Sequence, residues 1–389
     1  MFDPSRFIAD RARAVDASGI RKVFDLAANL ENPINLSIGQ PDFDVPDPIK
    51  DAAVEAIRSG FNKYTQTQGT KALLDRIRED VQRRYAACND EAGVLVTSGV
   101  SGALVLLMLA CVQPGDEVLI PDPYFVMYKH LVRLTGGTPV FVDTYPDFQL
   151  RPERIEPLIT QRTKMLLFNS PSNPTGTVAD AELCRQVAEL ADRYGLLLVS
   201  DEIYDTFCYE KISLPGRPDE QVAPSPLDYS PNVLLLKGFS KSYAMTGWRL
   251  GYAVGPAPVI AEMTKLQQYS FVCAPSMTQA AGLTALDIDM SEQVEAYRRK
   301  RDRLIERLAP HYELAHPGGA FYAFPKVPEH LGLSGTEFVK RAIENNVLII
   351  PGNVFSERDT HFRISYACDD DTLERGLDVL VKLAKSDSV

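Results

Sequence analysis

The chain has 389 residues, 45% of them hydrophobic and 24% charged, an ordinary composition for a folded protein long enough to form two domains. Its net charge of −11 argues against nucleic acid or an anionic membrane as a partner, although local arginines can still bind an anionic substrate. Six scattered cysteines without a CxxC pair indicate reduced thiols, and five histidines without ligand-like spacing predict no metal site.

Two stretches of the chain favour a cytoplasmic protein. The first residues, MFDPSRFIADRARAV, mix acids with bases and lack the apolar core of a signal peptide. The apolar run ALVLLMLACV at 103–112 is too short to cross a bilayer. We therefore expect neither export nor a membrane span.

Short apolar runs alternate with helical patterns between about residues 47 and 285. The runs that indicate buried parallel strands are GVLVTSG (93–99), DEVLIPD (116–122), TKMLLFNSP (163–171), GLLLVSDE (195–202) and NVLLLKGFS (232–240). The stretches that predict helices are SGALVLLMLACV (101–112), VMYKHLVRLTG (126–136) and DAELCRQVAELADRYG (180–195). Asp180 is a candidate N-cap for the last of these helices, and Gly195 is its stop. This alternation predicts a doubly wound α/β domain.

The pattern changes after about residue 290. EQVEAYRRKRDRLIERL (292–308) predicts a long amphipathic helix, and DTLERGLDVLVKLAK (371–385) predicts a final one. Between them lie strand-like pieces, GAFYAFP (319–325), VLIIPG (347–352) and HFRISYA (361–367). We interpret this part as a second, smaller α+β domain.

Polar residues directly follow the apolar runs of the larger domain. Ser98 and Gly99, Asn169, Asp201 and Lys241 each occupy such a position. In open α/β sheets, ligands bind at the carboxyl ends of the strands. The pattern alone therefore predicts that these residues share one site.

Lys241, Arg249 and Asp201 suit one cofactor, pyridoxal 5'-phosphate. The lysine amine can form a Schiff base with its aldehyde, and the arginine can donate two N–H groups to its phosphate. The carboxylate can pair with the protonated pyridine nitrogen. Plainer interpretations exist, because most lysines are solvated and an acid after a strand can simply cap a turn.

Several motifs closely resemble those of the class I/II aminotransferases over most of the chain. They are LSIGQPDFDVP (36–46), SPSNPTG (170–176), SDEIY (200–204), GFSKSYAMTGWRLGY (238–252) and HFRISYA (361–367). The resemblance implies a fold type I transferase dependent on pyridoxal phosphate, with a large doubly wound, mostly parallel sheet domain. That domain would span 47–285, and residues 1–46 and 286–389 would form the small α+β domain. The implied reaction moves the amino group of an L-amino acid to a 2-oxo acid through a ping-pong cycle of pyridoxal and pyridoxamine phosphate.

The resemblance also implies roles around the cofactor ring. Lys241 would bind the cofactor and, once displaced, move a proton between the substrate α-carbon and the cofactor C4′. Asp201 would face the pyridinium nitrogen. Tyr204 and Asn173 would donate hydrogen bonds to the phenolic oxygen. Phe125 matches the position whose aromatic ring stacks on the cofactor.

The phosphate needs several donors. Gly99, Val100 and Ser101 lie between a strand and an apolar helix, where a helix N-terminus offers free N–H groups to an anion. By resemblance, Arg249 completes this site, and Tyr64 of YTQTQG (64–69) reaches it from the other subunit of a homodimer with shared active sites.

One position departs from the family pattern. Gly238 stands where many relatives have a phosphate-binding serine, so Ser240 is the nearby candidate hydroxyl. For the substrate, Arg363 matches the arginine that binds the α-carboxylate, and the N–H of Gly39 would point at the same group. Asn173 would also lie beside the substrate.

Other functions fit the same residues. A carbon–sulfur β-lyase or a cyclopropane-forming synthase uses the same cofactor set, and a ligand-sensing regulator can contain this domain. A regulator would need a DNA-binding segment before the domain, whereas the motifs here begin at about residue 36. The amino donor stays open, although Ser101, where some aspartate-using relatives have a basic residue, argues against a dicarboxylate. We also predict cis peptide bonds at Asn173-Pro174 and Asp122-Pro123, as the resemblance implies.

Overall fold

The structure, a computed structural model, describes residues 2–16, 19, 30–210 and 222–385. Its strands are β1 (Ile34–Asn35), β2 (Gly93–Thr97), β3 (Glu117–Asp122), β4 (Thr138–Asp143), β5 (Thr163–Asn169), β6 (Leu197–Asp201), β7 (Val233–Gly238), β8 (Gly251–Gly255), β9 (Tyr322–Ala323), β10 (Val347–Leu348), β11 (Ile350–Pro351) and β12 (Phe362–Ser365). Its α-helices are α1 (Asp10–Arg13), α2 (Asp47–Arg58), α3 (Lys71–Arg84), α4 (Gly99–Cys111), α5 (Met127–Leu134), α6 (Pro152–Ile155), α7 (Ala181–Tyr194), α8 (Ala257–Gln268), α9 (Ser276–Ala285), α10 (Ser291–Leu308), α11 (Gly335–Glu344) and α12 (Asp370–Ala384). None of these helices combines the length and the apolar composition needed to cross a membrane.

The large sheet has the strand order β2-β8-β7-β6-β5-β3-β4. Neighbouring strands from β7 to β4 run parallel, as the apolar runs predict for β3, β5, β6 and β7. Strand β2, also predicted to pair in parallel, lies at the edge of the sheet and pairs antiparallel with β8. The sequence patterns did not predict β4 and β8, and β8 pairs antiparallel with both β2 and β7. The sheet is therefore mostly parallel with one reversed strand, and the predicted α/β class is confirmed.

Strand β7 shows why the sheet needs helices on both faces. Val233 and Leu235 pack into the hydrophobic cluster on one face, and Leu234 and Leu236 pack into the cluster on the other. Successive side chains of a strand point to opposite faces, so an all-apolar run buries both. Helix α7 covers the first face, and α4 covers the second.

A third cluster fills the smaller body, formed by α10, α11, α12 and the short strands. Strands β11, β12 and β9 make an antiparallel sheet, and β1 pairs with β10 in parallel. Ile34 and Leu36 thus join the core of the C-terminal part, as the resemblance implies for the N-terminal segment. The domain limits at 46/47 and 285/286 stay a prediction.

Two local predictions are confirmed. The Asp180 carboxylate accepts a hydrogen bond from the N–H of Leu183, and Gly195 ends α7 with a left-handed φ of 64°. Both predicted peptide bonds are cis, and two further proline bonds share that conformation. The cis bonds are Asp122-Pro123, Tyr145-Pro146, Ser170-Pro171 and Asn173-Pro174.

Candidate active site

A cavity of about 330 Å³ opens where β5, β6 and β7 end. The first turn of α4 forms one wall, and Tyr322, Arg363 and the segment 37–39 form the opposite wall. The predicted site residues that line it are Gly39, Val100, Ser101, Phe125, Asn173, Asp201, Tyr204, Ser240, Lys241, Arg249 and Arg363. The fold therefore brings together side chains that are far apart in sequence.

Lys241 lies three residues after β7, and its half-buried side chain lines the cavity. Its Nζ donates a hydrogen bond to the carbonyl oxygen of Gly39 at 2.5 Å. Burial lowers the pKa of Lys241 to about 8, and the positive charges of Arg363 and Arg249 add to this effect. The negative charge of Asp201 acts in the opposite direction and raises the pKa of Lys241. The amine is thus far easier to deprotonate than an ordinary lysine.

Asp201 is the last residue of β6 and is fully enclosed. Burial raises its pKa to about 6, although Tyr128, the N–H of Ile203 and the charge of Lys241 all favour the ionised form. The Tyr128 hydroxyl donates to Oδ2 at 2.7 Å, and the Ile203 N–H donates to Oδ1 at 3.3 Å. A cation bound beside this carboxylate would relieve its desolvation.

Arg249 and the start of α4 form an end of the cavity suited to an anion. Arg249 has a left-handed φ of 55°, and its Nη1 donates to the carbonyl of Thr246 at 2.9 Å. Gly99 has φ 70°, and a Cβ placed on it would lie 2.8 Å from Arg249 Nη2. The guanidinium therefore lies against the first turn of the helix. The side chain of Ser98 makes no capping bond there.

The geometry around Gly238 explains its departure from the family pattern. A Cβ at this position would lie 3.1 Å from Ile203 Cδ1 and 3.2 Å from both the Leu250 carbonyl and Val100 Cγ2. These contacts are tight, so the position disfavours a serine. Ser240 lines the cavity instead, in keeping with its choice as the candidate hydroxyl.

Arg363 is buried on β12. Its Nη1 donates to Asn173 Oδ1 at 3.0 Å, and its Nη2 donates to the Ser37 carbonyl at 2.8 Å. Its guanidinium carbon lies 4.5 Å from the ring centre of Phe355 and 4.6 Å from that of Tyr322. Burial lowers its pKa, and Nε has no hydrogen-bond partner among the described residues. A bound anion would compensate the buried positive charge of Arg363.

Three further predicted residues, Tyr204, Asn173 and Phe125, also line the cavity. The hydroxyls of Tyr204 and Tyr322 lie 2.9 Å apart. Because the oxygen of the Asn173 amide accepts from Arg363, its nitrogen is the end that can donate to a ligand. Phe125 lines the cavity, whereas Tyr124 is directed away, with its hydroxyl bonded to Glu357 at 2.6 Å.

Two predicted residues lie outside the cavity lining. Gly99 sets the approach of Arg249 without itself facing the cavity. Tyr64 is 84% exposed on the surface of the single chain. The predicted roles of all these residues stay predictions, because placement alone does not test them.

Sequence reasoning missed Tyr128 and Tyr322 as site residues. Tyr128 lies in the apolar stripe of α5, and Tyr322 lies in a short buried strand. Both look like core residues in sequence, and both are almost completely buried. Only their partners, Asp201 and Tyr204, reveal a second role.

A lysine, two arginines and an aspartate thus meet at the carboxyl edge of a mostly parallel sheet, under a smaller α+β body. This combination defines a transferase of fold type I. A model of the family "Aminotransferase class I and II" matches residues 31–380. The chain belongs to this family and is a transaminase.

Relatives of known name agree with this assignment. The probable aspartate aminotransferase of Methanocaldococcus jannaschii is 37% identical, over 97% of this chain and 99% of the relative. The aromatic-amino-acid aminotransferase 2 of Thermococcus litoralis is 34% identical, over 97% of this chain and 98% of the relative. A solved aspartate aminotransferase from Rhizobium meliloti is 33% identical and superposes with a TM-score of 0.90, over 100% of both chains.

Proposed function

We propose that this cavity binds pyridoxal 5'-phosphate and there transfers an amino group from an L-amino acid to a 2-oxo acid. One observation supports this most directly. The amine of Lys241 lines the cavity near two arginines and an aspartate, and its pKa is lowered to about 8. Such an amine is partly unprotonated near neutral pH, and only an unprotonated amine can attack an aldehyde or accept a proton.

The donor set of the cavity fits the cofactor at both ends. The first turn of α4, with Ser101, Ser240 and Arg249 beside it, suits a phosphate dianion. Asp201 suits a protonated ring nitrogen, because each charge would relieve the desolvation of the other. When bound, the cofactor withdraws electrons from the substrate α-carbon and makes its C–H bond acidic.

The chain itself supplies binding and proton transfer. With the cofactor bound, Lys241 Nζ would be the base that takes the proton from the substrate α-carbon and the acid that returns it. Arg363 holds the substrate α-carboxylate through the guanidinium that lines the cavity. Tyr204 and Asn173 hold the phenolic oxygen of the cofactor. The same proton transfers in reverse, on a 2-oxo acid, complete the exchange.

The charges of the cavity bear on the amino donor. Among its described lining residues the cations are Lys241, Arg249 and Arg363, and each already has a role in this proposal. Ser101 occupies the turn where some aspartate-using relatives have a basic residue, and Ile38 and Leu104 add apolar surface. This lining favours a donor with an uncharged side chain, and the names of the relatives keep aspartate and aromatic amino acids as the donors to compare.

A homodimer with shared sites explains the exposed Tyr64. The loop that presents it is held by Gln279, whose Oε1 accepts from Thr70 N at 2.7 Å and whose Nε2 donates to Thr65 Oγ1 at 3.0 Å. Tyr269 is also exposed, at 83%. Large aromatic side chains held outward in this way are typical of an interface with a second copy.

The thiols favour a reducing compartment. All six cysteines are free. Persistent thiols are typical of the cytoplasm, where we place the protein. Cell fractionation with an antibody against the chain tests this location.

Reduction with borohydride tests the cofactor and its attachment. The loaded protein should be yellow, and reduction should fix the label on the peptide that contains Lys241. A label on any other lysine would contradict the assignment.

A panel of amino acids with 2-oxoglutarate or pyruvate tests the reaction. Keto product without free ammonia indicates transfer, whereas free ammonia indicates a lyase. Faster turnover with aspartate than with alanine, branched, aromatic or sulfur amino acids would contradict the proposed donor class.

Mixed dimers test the shared site. Lys241→Ala and Tyr64→Ala chains, refolded together, form mixed dimers in which one site has an intact Lys241 and an intact Tyr64 from the other chain. Activity at limiting cofactor should exceed the sum of the two parent proteins. Activity equal to that sum, with mixed dimers present by native mass spectrometry, would contradict sharing.

A further inference from the structure

Tyr322 connects two parts of the site that have separate tasks. Its hydroxyl lies 2.9 Å from that of Tyr204, and its ring centre lies 4.6 Å from the guanidinium carbon of Arg363. The side chain is 1% exposed, although it also lines the cavity. One buried residue thus contacts both the proposed cofactor tyrosine and the proposed carboxylate arginine.

Strand register places the ring on the arginine. In the antiparallel pair of β9 and β12, Tyr322 lies opposite Ser365. Arg363 is two residues from Ser365 and therefore shares its face of the strand. A long side chain can reach such a diagonal neighbour across the ladder. Phe355 lies 4.5 Å from the same guanidinium carbon, so two aromatic rings contact Arg363.

The number of available protons decides which tyrosine donates the hydrogen bond between Tyr204 and Tyr322. A tyrosine hydroxyl has one proton to donate. If Tyr204 donates its proton to the phenolic oxygen of the cofactor, then its own oxygen must accept the proton of Tyr322. A donor that also accepts a hydrogen bond becomes a stronger donor.

We propose that Tyr322 is a positioning residue with two separable actions, orienting the hydroxyl proton of Tyr204 toward the cofactor and holding the plane of Arg363 for the substrate carboxylate. This inference rests on the proposed function. The hydroxyl performs the first action and the ring performs the second. Lys241, Asp201 and Arg363 are the charged groups that face this pair, and the variants below leave all three in place.

Two substitutions separate these actions in the cofactor-loaded enzyme. Tyr322→Phe removes the hydroxyl and keeps the ring, whereas Tyr322→Leu removes both. The first readout is the pKa at which the visible absorbance of the bound cofactor changes, because a weaker hydrogen bond to the phenolic oxygen disfavours its anion. The second readout is the Michaelis constant for the amino donor, which follows the hold of Arg363 on the carboxylate.

Tyr322→Phe should raise the spectral pKa and leave the Michaelis constant nearly unchanged. Tyr322→Leu should raise the spectral pKa to a similar extent and also raise the Michaelis constant by roughly threefold to thirtyfold, the range expected for a lost cation–π contact. Equal Michaelis constants in the two variants would overturn the second action. An unchanged spectral pKa in Tyr322→Phe would overturn the first.

Tyr204→Phe is the matched control, since it removes the proposed donor itself. It should raise the spectral pKa by about one unit, as expected for one lost hydrogen bond, and by more than Tyr322→Phe. If Tyr204→Phe shifts the spectrum and Tyr322→Phe does not, the inference fails while the proposed role of Tyr204 stands. If neither shifts it, both fail.

Discussion

Lys237 and Lys241 lie four residues apart, but the fold gives them opposite electrostatic surroundings. Lys237 Nζ lies 2.6 Å from Asp205 Oδ2, and Arg84 Nη2 lies 2.9 Å from the same atom. Burial alone would raise the pKa of Asp205, but these two cations outweigh it and lower the pKa. Both cations of this cluster are thus paired with a carboxylate.

Lys241 has no such compensation. Its amine bonds to a backbone carbonyl, and Arg249 and Arg363 depress its pKa beyond the effect of burial. Asp201 opposes these effects without cancelling them.

The two faces of the sheet separate these surroundings. Asp201 lines the cavity of Lys241, and the next residue, Glu202, bonds to Ser200 at 2.8 Å within the other cluster. Lys237 lines a second, polar cavity of about 270 Å³. Removing one partner of a buried ion pair leaves an uncompensated charge and destabilises the fold, whereas buried charges with strongly shifted pKa values are typical of functional sites. The group around Lys237 thus suits a structural role because its cations are paired with carboxylates, and the group around Lys241 suits a functional role because its cations are not.

Separate substitution of the two lysines should give the largest difference between the two groups of charges. Lys241→Ala should lower transamination by several powers of ten, because covalent attachment and proton transfer are both lost, and should leave the Tm of the apoprotein unchanged or raised. Lys237→Met should instead destabilise the fold by roughly 3–5 kcal/mol, since it leaves a buried carboxylate short of one partner. Thermal unfolding and turnover of both variants check this, and a destabilised but active Lys241→Ala protein would break the comparison.

The aspartates should divide in the same way. Asp201→Asn should lower the rate by roughly 10²–10³, because an amide cannot balance a developing charge in a buried site. Its effect on cofactor affinity should be smaller. Asp205→Asn, on the other cluster, should mainly lower the Tm. Turnover at saturating cofactor, cofactor titration and thermal unfolding separate the three quantities.

Arg363 should affect binding more than turnover. Arg363→Ala should raise the Michaelis constant for the amino donor by roughly a hundredfold, because a charge-assisted carboxylate contact of about 2–3 kcal/mol is lost. The maximal rate should fall much less. If Arg363→Ala reduced only the rate and Asp201→Asn only the affinity, the cofactor and the substrate would have been placed the wrong way round.

The smallest expected effect is a shift in the pH at which Lys241 becomes reactive. Lys241 in the apoprotein should be acylated with a midpoint near pH 8, below its ordinary 10.5, while Lys237 should be labelled slowly because it is buried in an ion pair. Since the unfolded chain binds more protons between these values, stability due to Lys241 should rise from about pH 8 to 10.5. Asp201→Asn should move the midpoint lower. Mass spectrometry of the labelled peptide as a function of pH measures this midpoint. A midpoint near 10.5 would contradict the environment assigned to Lys241.

The sequence by itself determined five strands of the large sheet, several helices and the chemical identity of the site. Apolar runs and turn residues located β2, β3, β5, β6 and β7, because strand periodicity and turn chemistry are local properties. The motifs around Lys241, Asp201 and Arg363 named the residues that the fold then gathered in one cavity.

Only the tertiary structure decided how these residues are tuned. The carbonyl of Gly39 meets Lys241, the hydroxyl of Tyr128 meets Asp201, and the ring of Tyr322 meets Arg363. Each pair is separated by tens to hundreds of residues, so no local pattern specifies its contact. The antiparallel direction of β8 could not be predicted for a related reason, because the direction of a strand is set by the path of the whole chain. Burial and like charges lower the pKa of Lys241, and both arise only when distant segments fold against one another.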